Sequence, residues 1–115
     1  MSAYSKQKLS GSTDGKGVAV AAVAANGTTI HTAQSGTSNF DEIWIYATNI
    51  NTALVNLTIE WGAVDGSQEI KLSVPAQSGL VLVIPGLILQ NSMVVKAYAS
   101  VASKIILTGY VNRIS

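Results

Sequence analysis

Acid–base chemistry near neutral pH needs a histidine or a strongly perturbed neighbour of one, and this sequence has a single histidine, His31. It lies in Thr28-Thr-Ile-His-Thr32, a hydroxyl-rich stretch of strand-like composition. A nucleophilic triad requires a serine or cysteine beside that base and a third group orienting it. There is no cysteine, and no serine occupies a Gly-x-Ser-x-Gly elbow. A lone histidine on a strand reads as a polar surface residue, so the sequence predicts no catalytic residue and no enzyme.

The carboxylates are Asp14, Asp41, Glu42, Glu60, Asp65 and Glu69. Glycoside hydrolysis needs two of them facing each other across a cleft. Glu60 and Glu69 fall on the polar sides of adjacent strand candidates, where they keep a face wet and pair with Lys71. Asp41-Glu42 reads as a solvated pair opening a strand. None of the six has the spacing of a calcium loop. Without thiolates or a second histidine, no metal site and no cofactor site is expected. Gly11-Ser-Thr-Asp-Gly-Lys-Gly17 superficially resembles a phosphate loop. It is one residue short between its glycines, and Gly17 stands where a hydroxyl must reach magnesium.

Recognition is the better prospect. Trp44 and Tyr46 share one face of a strand candidate and, if exposed, could stack on a sugar. Core packing or a subunit contact is the competing expectation, since aromatics are favoured at both. Asn26-Gly-Thr28 and Asn56-Leu-Thr58 match the glycan acceptor pattern, which matters only in a secreted eukaryotic protein.

The elements that must position these residues read as strands. Ile43, Ile45 and Ala47 alternate with Trp44, Tyr46 and Thr48. Val55, Leu57, Ile59 and Trp61 alternate with Asn56, Thr58 and Glu60, and Ile70, Leu72 and Val74 with Glu69, Lys71 and Ser73. Period two marks strands with one face in a core. Turn signals at Asn26-Gly27, Ser35-Gly36, Asn49-Ile-Asn51, Asp65-Gly66, Ser78-Gly79 and Pro85-Gly86 separate them. The pattern predicts strands near 18–25, 28–33, 42–49, 53–61, 68–74, 79–84, 93–100 and 104–113. That is an all-β, antiparallel sandwich of about eight strands, of jelly-roll type.

Two stretches break the pattern. Residues 1–16 are polar, carrying Lys6, Lys8 and Lys16 against Asp14 alone. Such a segment buries too little apolar surface to offset its own ordering. It is expected to be an extended N-terminal arm, with the sandwich domain spanning 17–115. Leu80-Val-Leu-Val-Ile84 is apolar at every position, and Leu87-Ile-Leu89 follows Pro85-Gly86. Apolar residues on both faces of an antiparallel strand imply a cover, from a loop, the arm or a second copy.

Composition bounds the class. The chain has 115 residues, enough for one core without staples. Charged residues make up 11% of it, against about 25% in a typical soluble domain. Such a surface suits a protein partly covered by neighbours. The formal net charge of +1 is too small to anchor nucleic acid through phosphate neutralisation. No apolar run approaches the roughly 20 residues of a membrane helix. Gly17–Ala25 follows lysines and ends in an Ala-x-Ala pattern, but it is short and leucine-free, so no cleaved leader is expected.

Several stretches carry a resemblance. Asp41-Glu-Ile-Trp-Ile-Tyr-Ala-Thr-Asn49, Leu57-Thr-Ile-Glu-Trp-Gly62, residues 75–87 and the ending Gly109-Tyr-Val-Asn-Arg-Ile114 resemble small virion structural proteins of tailed bacteriophages. The likeness is to capsid decoration, or cement, proteins. It covers most of residues 41–114, fades over the arm, and consists of packing patterns rather than a catalytic signature. It implies a protein made in the host cytoplasm and carried on the outside of the virion, as a homotrimer contacting the major capsid protein. Tyr4, Lys6, Lys8, Leu9 and Lys16 would then touch the coat or a neighbour. Leu80, Leu82, Ile84, Leu87 and Leu89 would support the self-interface. A head–tail joining or tail protein, and a carbohydrate-binding module, are the rival expectations.

Overall fold

The computed structural model describes residues 4–114, and among them every regular element is a strand. In chain order these are β1 (Tyr4–Lys8), β2 (Val18–Ala19), β3 (Thr28–Thr32), β4 (Phe40–Asn49), β5 (Val55–Trp61), β6 (Glu69–Val74), β7 (Val81–Leu89), β8 (Val94–Ala99) and β9 (Ile105–Ile114). They form two antiparallel sheets. One runs β1-β9-β4-β7, with β2 also pairing β9, and the other runs β3-β8-β5-β6. The result is a β-sandwich.

The alternation expected from the sequence is what closes it. Ile43, Ile45 and Ala47 of β4, Ile105, Leu107 and Val111 of β9, and Ile84 of β7 form the inner surface of the first sheet. Ile30, Val55, Leu57, Ile59, Val74, Val95, Ala97 and Ala99 form that of the second. Full burial of each larger aliphatic stabilises the fold by about 1.5–3 kcal/mol relative to exposure. Asn49 ties the layers at the end of β4. Its amide donates to the Val74 carbonyl at 2.9 Å and to the Ala53 carbonyl at 3.0 Å.

Three expectations need correction. The stretch predicted as a strand over 18–25 contributes two residues to the sheet, because after Val20 the backbone bends away and the Ala22 carbonyl instead accepts the Ala99 amide. Residues 4–8 are not a separate arm within this chain. They pair in register with β9, from Tyr4 opposite Ile114 to Lys8 opposite Tyr110. Beyond them, Leu9 is buried in the core, and the Gly11 amide donates to the Ile30 carbonyl. Finally, Pro85-Gly86 is no turn, and β7 runs through it.

The register explains why β7 lacks alternation. Ile45 stands opposite Ile84 and Tyr46 opposite Leu82, so Val83 is an extra residue. Ile43 stands opposite Leu87 and Trp44 opposite Pro85, so Gly86 is another. Each bulge resets which face the next side chain takes. Leu82, Pro85 and Ile88 therefore share the outer face, while Ile84 enters the core. Gly86 has φ +79°, and a Cβ there would stand 2.8 Å from Cζ2 of Trp44.

Candidate interaction surface

The outer face of the first sheet gathers most of the residues that could recognise something. Trp44 and Tyr46 project from β4 onto this face, Tyr110 and Asn112 from β9, and Lys6 from β1. Trp44 and Tyr110 stack with centroids 6.2 Å apart and planes within 14° of parallel. The Lys6 ammonium lies 4.7 Å from the Tyr110 ring centroid, a cation–π contact. Glu42 accepts the Trp44 indole N–H at 2.8 Å and the Asn112 amide at 2.9 Å. Those donors, the indole first, hold the Glu42 carboxyl below its ordinary range. The two aromatics of β4 thus lie outside the core, contrary to a packing role there.

Beside them, β7 is the sheet edge, and it leaves a row of apolar side chains uncovered. Leu80 is 66% exposed, Ile88 56% and Leu82 45%. A shallow groove next to Ile88 is lined by Thr37, Leu89 and Met93. Scattered exposed leucines are ordinary, but an apolar row continuous with an aromatic patch is the candidate contact surface of this fold. Strand β7 and the residues flanking it on both sides carry no charge over residues 79–92.

Of the residues expected at a self-interface, Leu80, Leu82 and Leu87 are exposed, Leu89 is half-buried against the core, and Ile84 is fully buried. Ile84 therefore has no surface to offer, because the bulge at Val83 turns it inward. Ile88, not singled out by sequence, is among the most open; only the bulge count could have placed it outside. Of the arm residues, Tyr4, Lys6, Lys8 and Lys16 are exposed. Leu9 is enclosed by its own chain and cannot touch a neighbour.

The titratable groups sit elsewhere than expected. His31, Asp41 and Glu60 are all fully buried rather than wet. Arg113 grips Asp41 with two charge-assisted bonds, Nε to Oδ1 and Nη2 to Oδ2, each 3.0 Å. Nε2 of His31 lies 2.7 Å from Asp41 Oδ2, and Gln34 donates to Oδ1 at 3.1 Å. The Ser10 backbone N–H donates to His31 Nδ1 at 2.9 Å. Since Nδ1 must accept, the proton of the neutral ring sits on Nε2 and is given to Asp41.

Burial opposes the charged form of both groups. In His31 it prevails over the pull of Asp41, and the pKa falls below its ordinary 6.5. In Asp41 burial acts upward, but the bonds from Arg113, His31 and Gln34 outweigh it and lower the pKa below 3.8. With both ring nitrogens engaged, this cluster works as a clasp. It joins β3 of one sheet to β4 and β9 of the other and to the segment after β1.

Glu60 is enclosed on the second sheet, with Oε1 accepting the Gly27 amide at 2.7 Å. Its neighbour Glu69 does meet Lys71 as expected, at 3.3 Å, and also accepts the Tyr98 hydroxyl at 2.9 Å. Gly11–Gly17 forms a tight loop in which the Ser12 hydroxyl donates to the Lys16 carbonyl and Asp14 and Gly15 take positive φ. Among the described residues no group of three or more His, Asp or Glu side chains converges as metal ligands. Compared with known protein families, with curated proteins and with solved structures, the chain matches none of them.

Proposed function

We propose that this protein is a non-enzymatic virion structural protein of the decoration kind, binding the outside of a phage capsid and stabilising the coat lattice. The observation that carries the reading is the uncharged outer row of Leu80, Leu82, Pro85 and Ile88, continuous with Trp44 and Tyr46. A sandwich with 11% charged residues and such a face is suited to being covered by neighbours. The strand order supports the jelly-roll form of that sandwich: apart from β1, four strands β2-β9-β4-β7 face four strands β3-β8-β5-β6. Strand β1, with all five residues exposed, is the segment free to meet the coat. Clamping by many copies needs only modest affinity per contact, because simultaneous engagement multiplies the effect.

Protein gels of density-purified particles from the source lysate test the assignment. Hundreds of copies per particle, near the abundance of the coat protein, support it. About a dozen would move the protein to a head–tail junction or the tail, and absence from particles would overturn a virion role.

One observation favours a second reading, a carbohydrate-binding module. The near-parallel Trp44–Tyr110 pair is flanked by Glu42 and by Asn112, whose Oδ1 has no partner among the described residues. Quenching of tryptophan fluorescence by glycans would favour that reading, and silence across a broad glycan array would remove it.

A further inference from the structure

His31 is the sole histidine of the chain, and it is held between an acceptor and a donor that it can satisfy together only while neutral. The charged groups facing it are Asp41 from β4 and Arg113 from β9. The other polar groups in the cluster, Gln34 and the Ser10 backbone, are neutral, and β8 presents Val95 across the strand pair. Asp41 is already held by the two-pronged grip of Arg113, so an added proton on the ring would leave one carboxylate between two cations and a net positive charge in the buried cluster. It would also place an N–H on Nδ1 directly against the Ser10 N–H, 2.9 Å away. Two donors cannot share that geometry, so one must leave.

Ser10 is the partner able to leave. The five residues of β1 before it are all exposed and have a strand on one side only. Apart from Leu9, the segment is fastened near Ser10 by the Thr32 amide donating to the Ser10 hydroxyl at 2.7 Å and by Gly11 donating to Ile30 at 2.9 Å. Asp41 and Arg113 remain paired whatever Ser10 does.

The geometry points to a proton-controlled latch: protonation of His31 releases the segment Tyr4–Ser12, β1 included, from the sandwich while the other strands stay paired. This goes beyond the proposed function, and it holds or fails whatever the outer face binds.

Long-range nitrogen–proton NMR of the histidine, combined with amide exchange corrected for intrinsic rates, tests it on the full chain. At about pH 7.5 the ring is expected as the Nε2–H tautomer, with Ser10 and Gly11 protected. As the ring becomes doubly protonated, protection in Tyr4–Gly11 should fall roughly five- to tenfold, the scale of one hydrogen bond lost. Protection in β4, β5 and β8 should hold. In His31→Asn, whose Oδ1 keeps an acceptor for Ser10 but does not titrate, the response of the segment should vanish. If that variant does not fold, the native chain alone decides. Loss of protection in the segment and the core together, or a Ser10 bond that survives double protonation, overturns the latch.

Discussion

Asp41 shows how little of a site can be visible at the residue scale in one dimension. Its partners His31 and Arg113 lie 10 and 72 residues away, and no spacing rule links them. Read locally, Asp41-Glu42 is a polar pair opening a strand, and His31 is a hydroxylated strand's one imidazole. Only the pairing of β4 with β9, which sets Asp41 opposite Arg113, makes the carboxylate a buried ion-pair centre. Arg113→Met would leave that carboxylate buried without its countercharge. The expected loss is about 3 kcal/mol, read from urea unfolding. Acid should act on the same cluster. The folded-state pKa of His31 lies below its ordinary 6.5, so between those two values the unfolded chain binds the extra proton. Stability is therefore whole above pH 6.5 and declines as pH falls below it. Asp41, depressed below 3.8, adds a second loss at lower pH. Urea midpoints measured across that range should fall monotonically on acidification; a rise on going below pH 6.5 would contradict the buried neutral histidine.

At the scale of elements, legibility follows the regularity of the pairing. Strands β4, β5 and β6 are apparent from period-two alternation, and the β4–β9, β5–β6 and β5–β8 pairings keep that alternation in unbroken register. Strand β7 was legible as apolar but not as an edge, since two extra residues shift its faces without altering its composition. Strand β1 could not be foreseen at all. Its side chains bury nothing, and backbone pairing with β9 leaves no trace in hydrophobic pattern. Gly109 marks the closest approach between elements. A Cβ there would stand 2.0 Å from the Trp44 carbonyl oxygen, in the centre of the β4–β9 ladder. Gly109→Val should cost about 3 kcal/mol or more by overpacking, seen as a lowered Tm. The same change at Gly66, where a Cβ meets nothing but φ is +88°, should cost about 1–3 kcal/mol, through backbone strain alone.

On the scale of the whole molecule, the sandwich has one core and two dissimilar outsides. The second sheet presents Asn56, Lys71 and Ser73, while the first presents aromatics and the apolar row. Pro85 and the two bulges disfavour addition of another strand at β7, as such features do on natural sheet edges. Contact is then expected through the face rather than the edge. If that face joins copies of the chain, as the decoration reading implies, the double substitution Leu82→Lys and Ile88→Lys should abolish self-association in light scattering while moving Tm little, because exposed positions usually change stability by about 0.5 kcal/mol or less. Under the proposed capsid role, removing residues 2–8 should weaken binding to particles without unfolding the sandwich. Extending the deletion through Leu9 should destabilise it, because that leucine belongs to the core.

The pairing of Tyr4 with Ile114 has a further use. Facing residues of an antiparallel pair have Cα atoms only about 4.5–5.5 Å apart, so a short flexible linker can join the two ends of the described chain. New ends could be opened in the exposed loop around Asp65-Gly66, between β5 and β6. Such a circular permutant would keep both sheets and the core. It would place β1 inside the rearranged sequence and offer cargo an attachment point in the connection between β5 and β6.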